Sequence, residues 1–211
     1  MKTVLAFGDS LTWGATPDSG ERHGYSDRWP NVLAAGLGGM ARVVEEGLGG
    51  RTTAYDDLTA PYERNGARVL PMLLTSHSPL DLVIIMLGSN DLKPQICGSV
   101  FGAAQGMSRL VEIVRTQPLS SMHRPQVLVV SPPLFCRRSD GSGPRGERDV
   151  EASQRLAAAY REVADAQQCA FFDAATVATA SPIDGVHLDA EQTRAIGAGL
   201  VPLVRDLLSI R

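Results

Sequence analysis

Ser10 lies in AFGDSLTWG, directly after the apolar run Val4 to Phe7 and the pair Gly8-Asp9. An apolar run halted by Gly-Asp reads as a buried strand ending in a turn, which turns the Ser10 hydroxyl out of the strand's carboxyl end. A serine alcohol is a weak nucleophile near its free pKa and needs a general base within about 2.6–3.2 Å. Of the four histidines, His187 stands three residues after Asp184 in DGVH. Within one turn, a carboxylate at that spacing reaches the imidazole Nδ1–H and leaves Nε2 facing the serine. His77 reads as a helix end, His23 lies in a polar loop and His123 in a charged one, and none has an acid placed as Asp184 is. On position alone, Ser10 could instead serve as a helix cap.

Attack by a serine on an ester puts negative charge on the carbonyl oxygen, and preorganised donors must meet it. The loop Leu48-Gly49-Gly50-Arg51 offers backbone N–H groups without side-chain obstruction, and Asn90 in GSND offers an amide N–H, although it could also be a plain turn former. Asp9 and Asp91 are expected to brace these loops through the backbone, and Arg51 to pair with a carboxylate. Trp13, three residues past Ser10, is expected to wall the substrate pocket, and Leu11, Trp13 and Phe135 together predict a narrow apolar entry. The histidines are scattered, no HExxH occurs, and GLGG is not followed by GK[ST]. Neither a metal nor a cofactor is expected.

These residues need elements to position them. Residues 2–8 predict a first strand, and RWPNVLAAGL a helix capped by Asp27 with Pro30 in its first turn, ended by Gly38-Gly39. A second strand follows at 41–45, then the glycine-rich loop EGLGGRTTAYDD. NGARVLPMLLTSH is helical in pattern, with a kink or a start at Pro71. DLVIIML has no polar alternation and reads as a strand buried on both faces. A helix over 100–116, the strand QVLVVS, a helix over roughly 147–168, the strand CAFFD and a last helix over roughly 190–208 complete the pattern. RRSDGSGPRGERD, 137–149, reads as an exposed excursion. Alternating strands and helices predict one α/β domain over 1–211, three layers deep, with ligand chemistry beyond the strands' carboxyl ends. Those ends carry Gly8-Asp9-Ser10, Gly49-Gly50-Arg51, Gly88 to Asp91, Ser131-Pro132-Pro133 and Asp184 to His187.

Composition narrows the function classes. Twenty Lys and Arg against 23 Asp and Glu give a net charge of -3, with no long basic stretch, which argues against a nucleic-acid partner. The strongly apolar run Leu82 to Leu87 is far below membrane-spanning length, so no membrane partner is expected either. MKTVLAFGDS has no secretory leader pattern, and Cys97, Cys136 and Cys169 are odd in number and widely spaced. Free thiols in a cytoplasmic protein are the expectation.

GDSLTWG (8–14), the glycine loop ending at Gly50, GSND (88–91) and DGVH (184–187) occur in this order along nearly the whole chain and resemble the SGNH-hydrolase, or GDSL-esterase, superfamily. The resemblance implies a flavodoxin-like α/β/α fold with a five-stranded parallel sheet in the order 2-1-3-4-5. It also implies Ser10 as nucleophile, His187 as base oriented by Asp184, and an oxyanion hole of Ser10 N–H, Gly50 N–H and Asn90. EEGLGGRTTAYDD, the segment from Asn65 to Lys93 and QVLVVSPP are similar to the bacterial arylesterase and acyltransferase branch, which cleaves short-chain and aryl esters. Some of its members pass the acyl group to alcohols or hydrogen peroxide. The chain departs from that branch in having Gly49 where serine, and Gly50 where alanine, is common, changes expected to loosen the loop. The small-molecule ester implied as substrate leaves a carbohydrate O-acetylesterase and a lysophospholipase or thioesterase as alternatives, with a non-enzymatic binding protein as the other class. Oligomeric relatives make a homo-oligomer the expectation, with 137–149 and Tyr55 to Arg64 as contacts.

Overall fold

In the computed structural model, which describes residues 1–118 and 124–210, five parallel strands form one sheet. They are β1 (Lys2–Gly8), β2 (Ala41–Gly47), β3 (Leu82–Met86), β4 (Gln126–Ser131) and β5 (Ala170–Asp173), in the order β2-β1-β3-β4-β5. The helices are α1 (Ser10–Trp13), α2 (Trp29–Gly36), α3 (Gly66–Ser76), α4 (Val100–Thr116), α5 (Val150–Ala166) and α6 (Ala190–Leu207), with 3-10 turns at Tyr25–Asp27 and Ala174–Thr176. His123 falls outside the described residues.

Successive strand side chains point to opposite faces, so a strand covered on both sides has to be apolar throughout. All five residues of β3 are buried. Leu5, Phe7, Val83, Ile85, Val127 and Val129 join one core layer, shared with Leu70 and Leu74 of α3, Met107 and Leu110 of α4 and Leu156 and Tyr160 of α5. Val4, Ala6, Leu82, Ile84, Leu128 and Val130 join the other, with Trp29 and Leu33 of α2 and Ile196 and Leu200 of α6. The absence of polar alternation in DLVIIML is therefore the direct trace of two covering layers.

Helix starts differ from expectation at one place. Asp27 does not cap α2: the cap position is Arg28, whose side chain makes no capping bond, and Asp27 lies in the preceding 3-10 turn, 2.6 Å from Arg194. The proline at the first turn needs no N–H partner, so α2 starts without a capping side chain. The proline in α3 is interior; the helix starts at Gly66, where Asn65 Oδ1 accepts from Ala67 N.

The register places Gly8 opposite both Gly47 and Met86, so the ends of β2, β1 and β3 lie side by side. The short helix α1 turns immediately over them. A Cβ on Gly8 would lie 2.0 Å from Thr12 Oγ1, and one on Gly47 2.2 Å from Trp13 N and 2.5 Å from its Cα. Backbone atoms cannot swing aside, so Gly47→Ala is expected to cost about 1–3 kcal/mol through overpacking. A melting curve checks this, at about 2–4 °C per kcal/mol for a chain of this size. Gly49→Ala, where an added Cβ meets nothing within 4 Å, is the control and is expected to leave the melting temperature near that of the parent.

Candidate active site

Asp9, at the end of β1, caps α1 by accepting from Leu11 N at 2.9 Å, so Ser10 is the first residue of the helix and not its cap. Consecutive helical residues point about 100° apart, whereas residues three apart share a face. Ser10 and Trp13 accordingly line one cavity of about 360 Å³, while Leu11 turns into the core beside α2 and α6. The expected contact of Leu11 with substrate is corrected on this ground. Phe135 is likewise in the core, beneath Arg148, whose guanidinium carbon lies 5.7 Å from the ring centre. The entry is therefore not the apolar slot that the sequence suggests.

The DGVH segment forms the turn that its spacing predicts. Asp184 Oδ1 accepts from the N–H groups of Val186 and His187, each at 2.9 Å, and Oδ2 accepts from His187 Nδ1 at 2.5 Å. His187 Nε2 faces the Ser10 hydroxyl at 2.9 Å, across 177 residues of chain. Burial pushes the Asp184 carboxyl upward, but the bonds from the His187 ring and from the two N–H groups outweigh it and hold the group below its ordinary 3.8.

Gly50 and Asn90 line the same cavity. The Asn90 amide is held on every side: Nδ2 donates to Arg51 O at 3.0 Å and to Asp9 Oδ2 at 3.3 Å, and Oδ1 accepts from Arg148 Nη2 at 2.8 Å. A guanidinium has no acceptor, so the bond from Arg148 fixes which end of the amide is the oxygen and which the N–H donor. Arg148 Nε also donates to Ser89 O at 2.6 Å. Asp91 accepts from Thr53 N at 3.0 and 3.1 Å and from the Thr53 hydroxyl, bracing the β3 end against the glycine loop. Burial pushes the Asp91 carboxyl up to about 6 and raises Asp9 as well.

Three expectations change here. Arg51 does not pair with a carboxylate: it is buried over the Phe7 ring, 4.4 Å from its centre, and Nη1 donates to the carbonyls of Gly8 and Glu46. Gly50 does not merely loosen its loop. Its φ of +83° lies in the left-handed region, and a Cβ there would stand 2.6 Å from Arg64 Nε. The 137–149 excursion is exposed over 139–143 but folds back at its end, where Pro144 and Arg148 are buried and Arg145 N donates to Asp184 O at 2.8 Å.

Among the residues that line the cavity, sequence reasoning missed its four cations: Arg64, Lys93, Arg145 and Arg148. Lys93 stands two residues beyond GSND, a visible signal. The two excursion arginines give none, because a surface-like composition does not reveal which charge turns inward. His77 ends α3 as expected and contacts Glu46 at 2.8 Å, and His23 Nε2 bonds Leu188 O at 2.8 Å.

A group whose folded pKa is depressed adds stability above its unfolded value and loses it as pH falls through the folded one. The melting-temperature gap between the parent and Asp184→Asn is therefore expected to stay level near neutrality and to close as pH falls through about 4 and below. Melting curves across that range check it, and a gap independent of pH would contradict the electrostatic role of the carboxylate.

Residues 6–195 match the model of the GDSL-like lipase/acylhydrolase family. A structure of a carbohydrate acetylesterase family member from Sinorhizobium meliloti is 52% identical, with a TM-score of 0.93 over 99% of this chain and 100% of that one. An aryl esterase from M. smegmatis is 41% identical at a TM-score of 0.91, again over 99% and 100%. A carbohydrate acetylesterase from Sinorhizobium meliloti is 38% identical at 0.90, over 98% and 100%. Among curated proteins none matches. By its sequence, its sheet order and the four segments gathered at one rim, the chain belongs to the GDSL-like lipase/acylhydrolase family of the SGNH-hydrolase superfamily.

Proposed function

We propose that the protein is a serine esterase that cleaves short-chain and aryl carboxylic esters through an acyl-enzyme. The observation that carries this reading is the continuous hydrogen-bonded chain from Ser10 Oγ through the His187 ring to Asp184 Oδ2, opening on the cavity that Gly50 and Asn90 also line. Ser10 Oγ attacks the ester carbonyl while His187 Nε2 takes its proton, and Asp184 holds the imidazolium. The N–H groups of Ser10 and Gly50 and the Asn90 amide meet the oxyanion, the amide exchanging its longer bond to Asp9 for it. Collapse of the tetrahedral adduct expels the alcohol with the proton from His187. Water then attacks the acyl-serine with the same base and releases the carboxylic acid. An alcohol or peroxide in place of that water gives acyl transfer.

A second reading, removal of acetyl groups from sugars, is favoured by one observation: with Leu11 and Phe135 in the core, Arg64, Lys93, Gln95, Arg145 and Arg148 bring hydrogen-bonding groups to the cavity wall. A profile of kcat/KM against acyl chain length and against sugar acetates separates the two, and a profile rising beyond medium chains would replace both with a lysophospholipase or thioesterase. The three unpaired cysteines support a reducing, cytoplasmic setting; among the described residues no helix is long and apolar enough to cross a membrane.

On p-nitrophenyl acetate, Ser10→Ala is expected to lower kcat/KM by at least about 10³-fold with an unchanged melting curve. In enzyme titrated for active sites, Asn90→Ala is expected to lose about 2–4 kcal/mol of transition-state stabilisation, chiefly in kcat. Equal rates in the parent and Ser10→Ala would end the proposal. The chain is further proposed to self-associate through the 55–64 loop, where Leu58 is 93% and Tyr62 50% exposed next to the cavity-lining Arg64. Light scattering at micromolar concentration is expected to exceed the 22.5 kDa of one chain, and a value equal to it would remove this part.

A further inference from the structure

The cavity beside Ser10 has a charge of opposite sign to the protein as a whole. The chain carries -3, yet Arg64, Lys93, Arg145 and Arg148 all line this cavity, and no Asp or Glu does so among the described residues. Two of the four cations have fixed partners. Arg64 Nη1 lies 2.7 Å from Asp57 Oδ2, and Arg148 is committed to Ser89 O and the Asn90 amide oxygen. Arg145 is exposed to solvent.

Lys93 is the exception. Among the described residues its ammonium has neither an ion pair nor a hydrogen-bond partner, although more than half of it is withdrawn from water. Withdrawing a charge from water without a counter-charge is costly. Burial, together with the Arg148 and Arg64 guanidinium groups, pulls the Lys93 ammonium down to about 8, against the longer-range attraction of Asp57 and Asp9. The space next to it is kept open by Gly146, where a Cβ would stand 2.9 Å from Arg148 Nη1 and 3.7 Å from Lys93 Cε. An ammonium without a counter-charge in contact therefore lines the same cavity as Ser10, Asn90 and His187.

We infer that the cavity selects esters bearing a carboxylate on their acyl or alcohol part, and that Lys93 receives that carboxylate. Acetylated uronic acids and hemiesters of dicarboxylic acids have this chemistry. The inference rests on the esterase reading, which it deepens by naming the substrate class. A carboxylate on Lys93 forms a charge-assisted hydrogen bond with a partly buried ammonium, and such bonds are stronger than those between neutral groups.

Two matched pairs test it: 4-acetoxybenzoate against its methyl ester places the charge on the alcohol part, and monomethyl against dimethyl glutarate places it on the acyl part. At low ionic strength, at least one pair is expected to favour the carboxylate about tenfold in kcat/KM, mainly through KM. The preference is expected to fall as salt is added to the parent enzyme, to vanish in Lys93→Gln and to invert in Lys93→Glu. Ratios below about twofold in both pairs, or a preference that survives Lys93→Gln, would overturn the inference. Calorimetry of the same four compounds on Ser10→Ala reads binding without turnover. Turnover of the neutral esters without any preference removes the carboxylate site and leaves the esterase standing. Preferential binding without turnover in the parent does the reverse.

Discussion

The turn bearing Ser10 lies directly on two strand ends, with no atom to spare between them. Gly8 and Gly47 let Thr12 and Trp13 pack against the sheet edge, and Thr12 Oγ1 in turn accepts from Trp29 Nε1 at 3.2 Å, tying α1 to the buried ring of α2. The position of Ser10 is thereby set by backbone contact with the sheet and not by a flexible loop. Close-packed interiors respond to such contacts in discrete steps, so the hydroxyl has one place to be. His187 can reach it from the far end of the chain only because that place is fixed.

Around this turn the protein buries Asp9, Arg51, Asn90 and Asp91, and hydrogen bonds tie each of them to a strand end or a neighbouring loop. Asp9 caps α1 and touches Asn90; Asn90 bonds Arg51 O; Arg51 bonds the carbonyls of Gly8 and Glu46; Asp91 holds Thr53. A buried polar network is costly where incomplete and rigid where satisfied. Here it links the ends of β1, β2 and β3, the three strands that the register already places side by side. Tyr160 of α5 adds a further tie, donating to Leu87 O at 3.0 Å just before GSND.

The sequence is legible where local chemistry and burial coincide. The strands are apolar because two layers cover them, GDS and GSND follow the strands abruptly, and Asp184 and His187 lie within one turn. Each of these is a short-range relation that spacing alone expresses. Leu11 and Phe135 were misleading because an apolar residue near a reactive one can face either way, and only the 100° step of a helix or the packing of a neighbour decides. Asp27 resembles a cap in sequence yet is drawn to Arg194, 167 residues away. The inward turn of Arg148 is the extreme case: its partners, Ser89 and Asn90, are more than fifty residues distant, and nothing in PRGERD encodes that fold-back locally.

That fold-back has a consequence for how the molecule can be altered. Residues 136–148 grip the turn from Asp184 to His187 at one end, where Cys136 N donates to Gly185 O at 3.1 Å and Arg145 N to Asp184 O, and the Asn90 amide at the other through Arg148. The Asp184 side and the Asn90 side of the cavity therefore share one mechanical support. Its tip, 140–143, stands in solvent and can tolerate changes of composition, whereas its two feet must be inherited together. A chimaera that exchanges only one foot would misalign both sides of the cavity at once, so this loop is a single transplantable unit, not a string of independent positions.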